Sequence, residues 1–325
     1  MLRAVSRYSR EARRLSTAAE AARVQVTRHP DGVVQVMLSR ASKMNALDMP
    51  MFRAIQQTAR SLIGDKSVRA VVVHGEGRAF CAGLDVKSVC APLSAKSNMA
   101  ELLHRPEGEA SNLAQSVGYL WRRIPAPVIA ATHGVCLGGG FQIAMGADMR
   151  IASPSCKFSI MEAKWGIIPD MSATVTLRER IPRDVAMELT TTGRIFESDE
   201  ALRLGLLTRI HQDPLDAAMA LARRVVKGSP DAAAAAKRLL HATYSDGCTE
   251  ERALQMESEV QLRLIGGWNQ AVCAAKGLGV PPFLTPPFAD RESLWLAEAD
   301  EEVEESLVAL LDGTEIKRAA EASTP

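Results

Sequence analysis

No apolar run in this 325-residue chain reaches the ~18 residues that would suggest a membrane span, so a soluble protein is expected. A surplus of one charge is also missing. Lysine and arginine number 39 against 38 acidic residues, a formal net charge of +1, and nothing advertises a nucleic-acid or polyanionic surface. The six cysteines, Cys81, Cys90, Cys136, Cys156, Cys248 and Cys273, lack a CxxC pair or any spacing that resembles a metal site. They read as reduced thiols, mostly buried, in a reducing compartment, and no metal is expected. Acid is scarce at the start of the chain, where Glu11 is the only carboxylate before Glu20.

That opening segment is instead rich in arginine and serine. Arg3, Arg7, Arg10 and Arg14 recur along one helical stripe, with Leu2, Val5 and Ala12 elsewhere around it and Ser6, Ser9 and Ser16 interspersed. An amphipathic, acid-poor start of this kind is the signature of an organelle import peptide. Residues 1–22 are assigned to it, with the mitochondrial matrix as the expected destination; the alternative is an ordinary basic N-terminus.

Beyond residue 23, Val24–Arg28 and Val33–Leu38 flank the turn His29-Pro30-Asp31-Gly32 and predict a hairpin. Asp48 can cap a helix with Pro50 in its first turn, along which Leu47, Met51, Ile55 and Ala59 recur every fourth residue. Ala70–His74 and Val128–Thr132 read as strands buried on both faces. The polar stretch 88–110 has weak helical signal and reads as a lid or loop. Strands alternating with helices indicate an α/β fold, a parallel sheet built from repeated β-β-α units. From about 197 helices take over, opened by Ser198-Asp199, by Pro214, by Ser229-Pro230-Asp231 and by Thr249. Four prolines at 281, 282, 286 and 287 then end regular structure. The acidic stretch Glu298–Glu305 reads as a solvated tail, though Val303, Leu307 and Leu310 are spaced for one last helix.

Two glycine segments follow strands: Arg78-Ala79-Phe80-Cys81-Ala82-Gly83-Leu84-Asp85 and His133-Gly134-Val135-Cys136-Leu137-Gly138-Gly139-Gly140. The second leads into a helical run, Phe141 to Met145. Glycines between a strand and a helix let the backbone approach a ligand, and the helix N-terminus offers free N–H donors to negative charge. Phosphate binding is a weak reading. Neither segment carries the Lys-Ser/Thr of a P-loop, and Gly75-Glu76-Gly77 lacks the third glycine of the dinucleotide fingerprint. Donors from two strand ends can instead cradle one developing oxyanion.

The series Phe80-x-Ala82-Gly83-x-Asp85, Gly138-Gly139-Gly140, Phe158-x-x-x-Glu162-x-x-x-Gly166-Ile167-x-Pro169 and Gly193-Arg194 with Ala201 and Gly205-Leu206 resembles the crotonase (enoyl-CoA hydratase/isomerase) superfamily. The resemblance runs from about Val24 to Lys276. It implies a crotonase-like spiral of ββα units (residues 23–212), a C-terminal helical trimerisation region (213–289) and, beyond both, the acidic tail (290–325). It also implies an acyl-CoA substrate, no cofactor besides the coenzyme A that belongs to that substrate, and a homotrimer or homohexamer. Carried over by position, the backbone N–H groups of Leu84 and Gly139 would hold the thioester oxygen. Lys43–Leu47 and Leu84–Lys87 would lie near the coenzyme A adenine and pantetheine, and Lys43, Ala46, Leu47, Ala82, Gly83, Asp85, Lys87 and Gln142 are the expected substrate-binding residues.

Hydratases that this chain resembles use two glutamates around one water. The first position here is Gln142, whose amide takes no proton at neutral pH. The second keeps Glu162, with Phe158, Ile160, Met161, Trp165, Ile167 and Ile168 around it in sequence, company expected to raise its pKa by desolvation. One carboxylate suffices to move a double bond, by taking a proton next to the thioester and returning it two carbons away. Asp170 stands where dienoyl-CoA isomerases, which resemble this chain there, also carry an aspartate, though the match is partial because they have an acid where this chain has Gln142; Asp170 either shuttles a proton, raises the Glu162 pKa by like-charge repulsion, or caps the helix through Leu177. Three readings follow: a double-bond isomerase using Glu162, a hydratase in which Glu162 and Asp170 position the water, and a silent acyl-CoA-binding subunit.

Overall fold

The computed structural model describes residues 23–245 and 247–292. The expected import peptide and the helix expected around Val303 lie outside the described residues. The chain divides into two compact units, at Lys227 and Gly228.

The strands of the first unit are β1 (Val24–Arg28), β2 (Val33–Leu38), β3 (Ala70–Gly75), β4 (Val128–Thr132), β5 (Val135–Leu137), β6 (Met149–Ala152), β7 (Lys157–Ser159), β8 (Phe196–Glu197) and β9 (Arg209–Ile210). They form a six-stranded sheet in the order β1-β2-β3-β4-β6-β9 and a three-stranded sheet in the order β5-β7-β8. Only β1 runs antiparallel in the larger sheet, where it closes the expected hairpin with β2. From β4 to β7 the chain alternates between the sheets, β4 to β5 and β6 to β7, and after β8, which pairs antiparallel with β7, it returns to the larger sheet at β9. This alternation is the turn of a spiral, each coil placing a strand in each sheet.

Side chains alternate across the larger sheet, and both faces are covered. Val34, Val36 and Leu38 of β2, Val71 and Val73 of β3 and Val128 and Ala130 of β4 enter the main core. Val33, Ala70, Val72, Ile129, Ala131 and Ile151 point the other way. At roughly 1.5–3 kcal/mol for each large aliphatic side chain fully buried, these two layers dominate the stability.

The helices of this unit are α1 (Met49–Ile63), α2 (Val86–Val89), α3 (Ala95–Leu103), α4 (Leu113–Arg123), α5 (Gly139–Gly146), α6 (Ala173–Leu177), α7 (Arg183–Thr192), α8 (Ser198–Arg203) and α9 (Pro214–Val225). Helix α1 starts as expected, with the Asp48 carboxylate accepting from Met51 N and Pro50 in the first turn. It buries Met51, Phe52, Ile55, Ala59 and Leu62. Helix α3 occupies part of 88–110, so that stretch is more regular than a loop, with Leu102 as its buried anchor. Helix α4 begins in a capping box between Asn112 and Gln115. The sheet's second face is covered by α9 through Ala218, Met219 and Ala222, so this helix belongs with the sheet, whereas the sequence grouped it with the later helices.

In the second unit, α10 (Pro230–Thr243) and α11 (Glu250–Leu264) start where expected, capped by Ser229 Oγ and Thr249 Oγ1. A third helix, α12 (Trp268–Gly277), had no expectation attached. Among the described residues, no helix is long and apolar enough to cross a membrane. Three cysteines rather than most of the six are buried, Cys81, Cys136 and Cys156.

Helices α4 and α5 meet backbone to backbone at two glycines. A Cβ on Gly146 would overlap the carbonyl oxygen of Gly118, and one on Gly118 would stand 3.2 Å from that of Gln142. Backbone cannot swing aside as a flexible side chain can. Gly146→Ala is therefore expected to cost about 3 kcal/mol, the upper end of overpacking penalties, read as a lowered urea midpoint; a wild-type midpoint would show that the helices part freely.

Candidate active site

The two glycine segments are brought together by backbone pairing. Cys81 bridges to Cys136 in parallel register, with Cys81 N donating to Val135 O at 3.1 Å and Leu137 N to Cys81 O at 3.0 Å. Gly83 has φ 89°, and a Cβ there would stand 2.8 Å from Leu137 O and 3.6 Å from Gly139 N. A Cβ on Gly140 would stand 2.4 Å from Cys81 O. Glycine is thus required at both places by contact, and at Gly83 by conformation as well. Gly138, at φ 50°, turns the chain into α5.

This convergence leaves two donors open. Gly139 is the first residue of α5, so its N–H has no partner within the helix, and neither it nor the Leu84 N–H donates to an acceptor among the described residues. Gly139 lies between Leu47 and Met171, whose Cδ1 and Sδ atoms are each 2.8 Å from where its Cβ would be.

A third segment completes the wall. Leu47 bridges Leu84, Leu47 N donating to Gly83 O at 2.8 Å and Asp85 N to Leu47 O at 3.0 Å. The stretches 43–47 and 84–87 expected to share one ligand are therefore neighbours. Lys43 and Lys87 are exposed, Ala46, Ala82, Leu84 and Asp85 half-buried, Leu47 and Gly83 buried. Asp85 is already engaged: it caps α2 by accepting from Ser88 N and pairs with Arg40 at 2.8 Å. Burial pushes its pKa up, but those partners outweigh burial and hold it below the ordinary value.

Asn45 pins this arrangement, and the sequence did not single it out. It is fully buried at φ 54°, its Oδ1 accepting from Arg40 N and its Nδ2 donating to the carbonyls of Glu76, Ala79 and Phe80. Those bonds hold the loop between β3 and Cys81. A lone Asn in a loop carries no signal of this until its burial is known.

Glu162 is 7% exposed, in a 3-10 turn over Met161–Trp165. Phe141, Phe158 and Phe196 pack ring against ring and fasten the start of α5 to β7 and β8. Gly138 N donates to Ser159 O at 2.9 Å, which brings Glu162 Oε1 to 3.5 Å from where a Cβ on Gly138 would lie. The apolar company expected around Glu162 is only half there. Phe158 and Ile160 are buried, but Trp165 (61%), Ile167 (52%) and Ile168 (74%) face outward, because the 3-10 turn and the left-handed Gly166 swing that strip away from the carboxylate.

Gln142, at the next turn of α5, donates from Nε2 to Glu162 Oε1 at 2.7 Å. Glu162 Oε2 is buried and has no hydrogen-bond partner among the described residues. Burial raises the Glu162 pKa and the charge of Asp170 adds to it, against hydrogen bonds from its own backbone N–H and from Gln142. Asp170 is raised too, by burial. It does not cap α6, whose N-cap is Ser172 in a left-handed conformation, φ 78°.

A buried carboxyl, a second carboxyl within electrostatic reach and two open N–H donors at meeting strand ends are what acid–base chemistry at an activated carbonyl requires. Residues 28–266 match the family described as Enoyl-CoA hydratase/isomerase. The chain belongs to this family. Its two-sheet spiral is the crotonase fold, and a solved enoyl-CoA hydratase from Bacillus anthracis matches it with a TM-score of 0.72 at 25% identity, over 82% of this chain and 98% of that one. Carnitinyl-CoA dehydratase of Proteus mirabilis is 33% identical over 236 residues, 70% of this chain and 84% of the relative. The mitochondrial Delta(3,5)-Delta(2,4)-dienoyl-CoA isomerase of Mus musculus is 32% identical over 229 residues, 66% of this chain and 67% of its own. Relatives named for dehydration and for isomerisation thus stand equally near this enoyl-CoA hydratase/isomerase family enzyme.

The raised carboxyl pKa values have a consequence for stability. Protons are held more tightly by Glu162 and Asp170 in the folded enzyme than in the unfolded chain. The stability they confer is therefore complete below the ordinary carboxylate pKa and is lost as pH climbs through the folded values. Glu162→Gln removes one of these groups and is expected to raise Tm at pH 7 by a few degrees while leaving Tm at pH 4 nearly unchanged. Calorimetry at both pH values checks this, and a lowered Tm at pH 7 would contradict it.

Proposed function

We propose that this enzyme relocates a double bond in an unsaturated fatty acyl-CoA, from the 3-enoyl to the 2-enoyl form or from the 3,5-dienoyl to the 2,4-dienoyl form. The observation that carries the proposal is the partner of Glu162, which is an amide: Gln142 at 2.7 Å, with Oε2 left unbonded. An amide cannot share the activation of water with Glu162, whereas one carboxylate can both remove a proton and return it.

In this reading the thioester oxygen sits between the N–H groups of Leu84 and Gly139, where the α5 dipole also favours negative charge. Glu162 removes a proton from C2; the C–H electron pair enters the enolate, and the negative charge rests on the oxygen those donors hold. The enolate electrons form the C2=C3 double bond and the proton returns to the far carbon of the original unsaturation, C4 of the 3-enoyl or C6 of the 3,5-dienoyl substrate. Asp170, whose charge is felt at Glu162, would share the proton traffic where a conjugated diene carries the receiving carbon further away. No cofactor is invoked besides the coenzyme A of the substrate, for which residues 43–47 and 84–87 form the adjoining wall.

Assembly as a homotrimer or homohexamer belongs to the same proposal, supported by exposed Leu254, Leu262, Ile265, Trp268, Phe283 and Leu284 in the second unit. So does residence in the mitochondrial matrix, supported by the Arg- and Ser-rich start of the chain and by the mitochondrial relative.

Purified enzyme offered 3-enoyl-, 3,5-dienoyl- and 2-enoyl-CoA is expected to isomerise one or both of the first two and to leave the third unhydrated, as chromatography of the products will show. Glu162→Gln should lower the rate by about 10²–10⁴-fold. Hydroxyacyl product from 2-enoyl-CoA would assign the site to hydration, and coenzyme A thioester binding without turnover would make the chain a silent subunit. Gly83→Ala, which drives a Cβ into Leu137 O, should cost about 10²–10³-fold in kcat by parting the two donors. Gly139→Ala meets only flexible side-chain ends and should cost less.

A further inference from the structure

Gln142 is buried completely, in the middle of α5, and every polar atom of its side chain is used. Its Oε1 accepts from Met171 N at 2.8 Å and from Ala173 N at 3.3 Å. Backbone N–H groups can only donate, so the amide cannot be turned the other way, and Nε2 must face Glu162. Nε2 can likewise only donate. A proton on Glu162 Oε1 would share that oxygen with the donated N–H and weaken its hold, so Oε1 is kept as the acceptor and the exchangeable proton goes to Oε2. Oε2 is the oxygen with no partner.

We propose that Gln142 is a positioning residue that assigns the proton-transfer role to one oxygen of Glu162, by clamping Oε1 to the backbone at Met171 and Ala173 and leaving Oε2 as the only site of proton exchange. The inference rests on Glu162 being the group that takes the proton from C2. It adds a reason for the amide at this position. A free carboxylate offers two oxygens, each over a range of rotamers, and a buried one rotates toward whichever donor is available. The clamp has three members on three elements: α5 supplies Gln142, the 3-10 turn supplies Glu162, and the start of α6 supplies the two N–H groups. Ser172, between those two N–H groups, is held at φ 78°, a conformation costly for a residue with a side chain. That conformation accompanies the aiming of both flanking N–H groups at one amide oxygen. The charged group acting on Glu162 from outside the clamp is Asp170; it titrates in wild type and variants alike.

The direct test reads Glu162 without any substrate. The carboxyl infrared band of protonated Glu162, assigned by its loss in Glu162→Gln, is followed against pH in wild type, in Gln142→Met and in Gln142→Glu. Methionine fills similar space and removes the donor, so the midpoint is expected to rise by about one to two pH units, the worth of a hydrogen bond to a charged group. Glutamate preserves the acceptor that Met171 and Ala173 need but sets a second carboxyl against Glu162, so the rise should be larger. In both variants, exchange of the C2 proton of a saturated acyl-CoA into D2O should lose at least tenfold in rate with KM nearly unchanged. A midpoint and an exchange rate at wild-type values in either folded variant overturn the proposal. Failure of the isomerase reading is seen separately: wild type would then exchange the C2 proton but form no isomer, and the infrared midpoints still decide the role of Gln142.

Discussion

The site exists because two backbones meet with no Cβ between them. At Gly83 and Gly140 the facing oxygens, those of Leu137 and Cys81, lie closer to the glycine backbone than any side chain permits. Backbone pairing of Cys81 with Cys136, whose thiols are free, holds this contact, and Asn45 holds the loop before it through the carbonyls of Glu76, Ala79 and Phe80. Everything chemical follows from that approach. The Leu84 and Gly139 N–H groups, without acceptors among the described residues, lie just beyond the paired Cys81 and Leu137, and Glu162 reaches the start of α5 because Gly138 N is tied to Ser159 O, three residues before it.

A second constraint runs against stability. An acidic group almost wholly removed from water, with one oxygen unbonded, lowers the stability of the folded chain at neutral pH. The cost is tolerated where the surroundings are over-determined, and here they are. Three phenylalanines hold α5 against β7 and β8, and Gln142 spans from Glu162 to the backbone at Met171 and Ala173. Such rigidity keeps the carboxyl from relaxing toward solvent, which lies only a few residues away at Trp165 and Ile168.

The four longer strands and three helix caps were legible in the sequence because each is set by a local rule: Val24–Arg28, Val33–Leu38 and Val128–Thr132 are observed as read, β3 runs one residue past Ala70–His74, and Asp48, Ser229 and Thr249 are observed caps. The short strands β5 to β9, and with them the whole second sheet, went unmarked. Helices α4, α7 and α12 went unmarked, although α4 carries its own capping box at Asn112 and Gln115. The assignment of α9 to the sheet depends on which apolar surface it meets, and periodicity does not say. In the site, the glycine segments and Glu162 were visible as motifs. The orientation of Gln142, the burial of Asn45 and the outward turn of Trp165, Ile167 and Ile168 were not. Each results from contacts between segments far apart in the chain.

The central claim is that the Leu84 and Gly139 N–H groups together polarise a thioester carbonyl. Isotope-edited infrared spectroscopy of a saturated acyl-CoA, carrying a 13C label at the thioester carbon and bound to the enzyme, reads this in one band. The account predicts a shift of the C=O stretch to lower frequency on binding to wild type, reduced in Gly83→Ala. A band at its free position in the wild-type complex, under conditions where binding is complete, would contradict it.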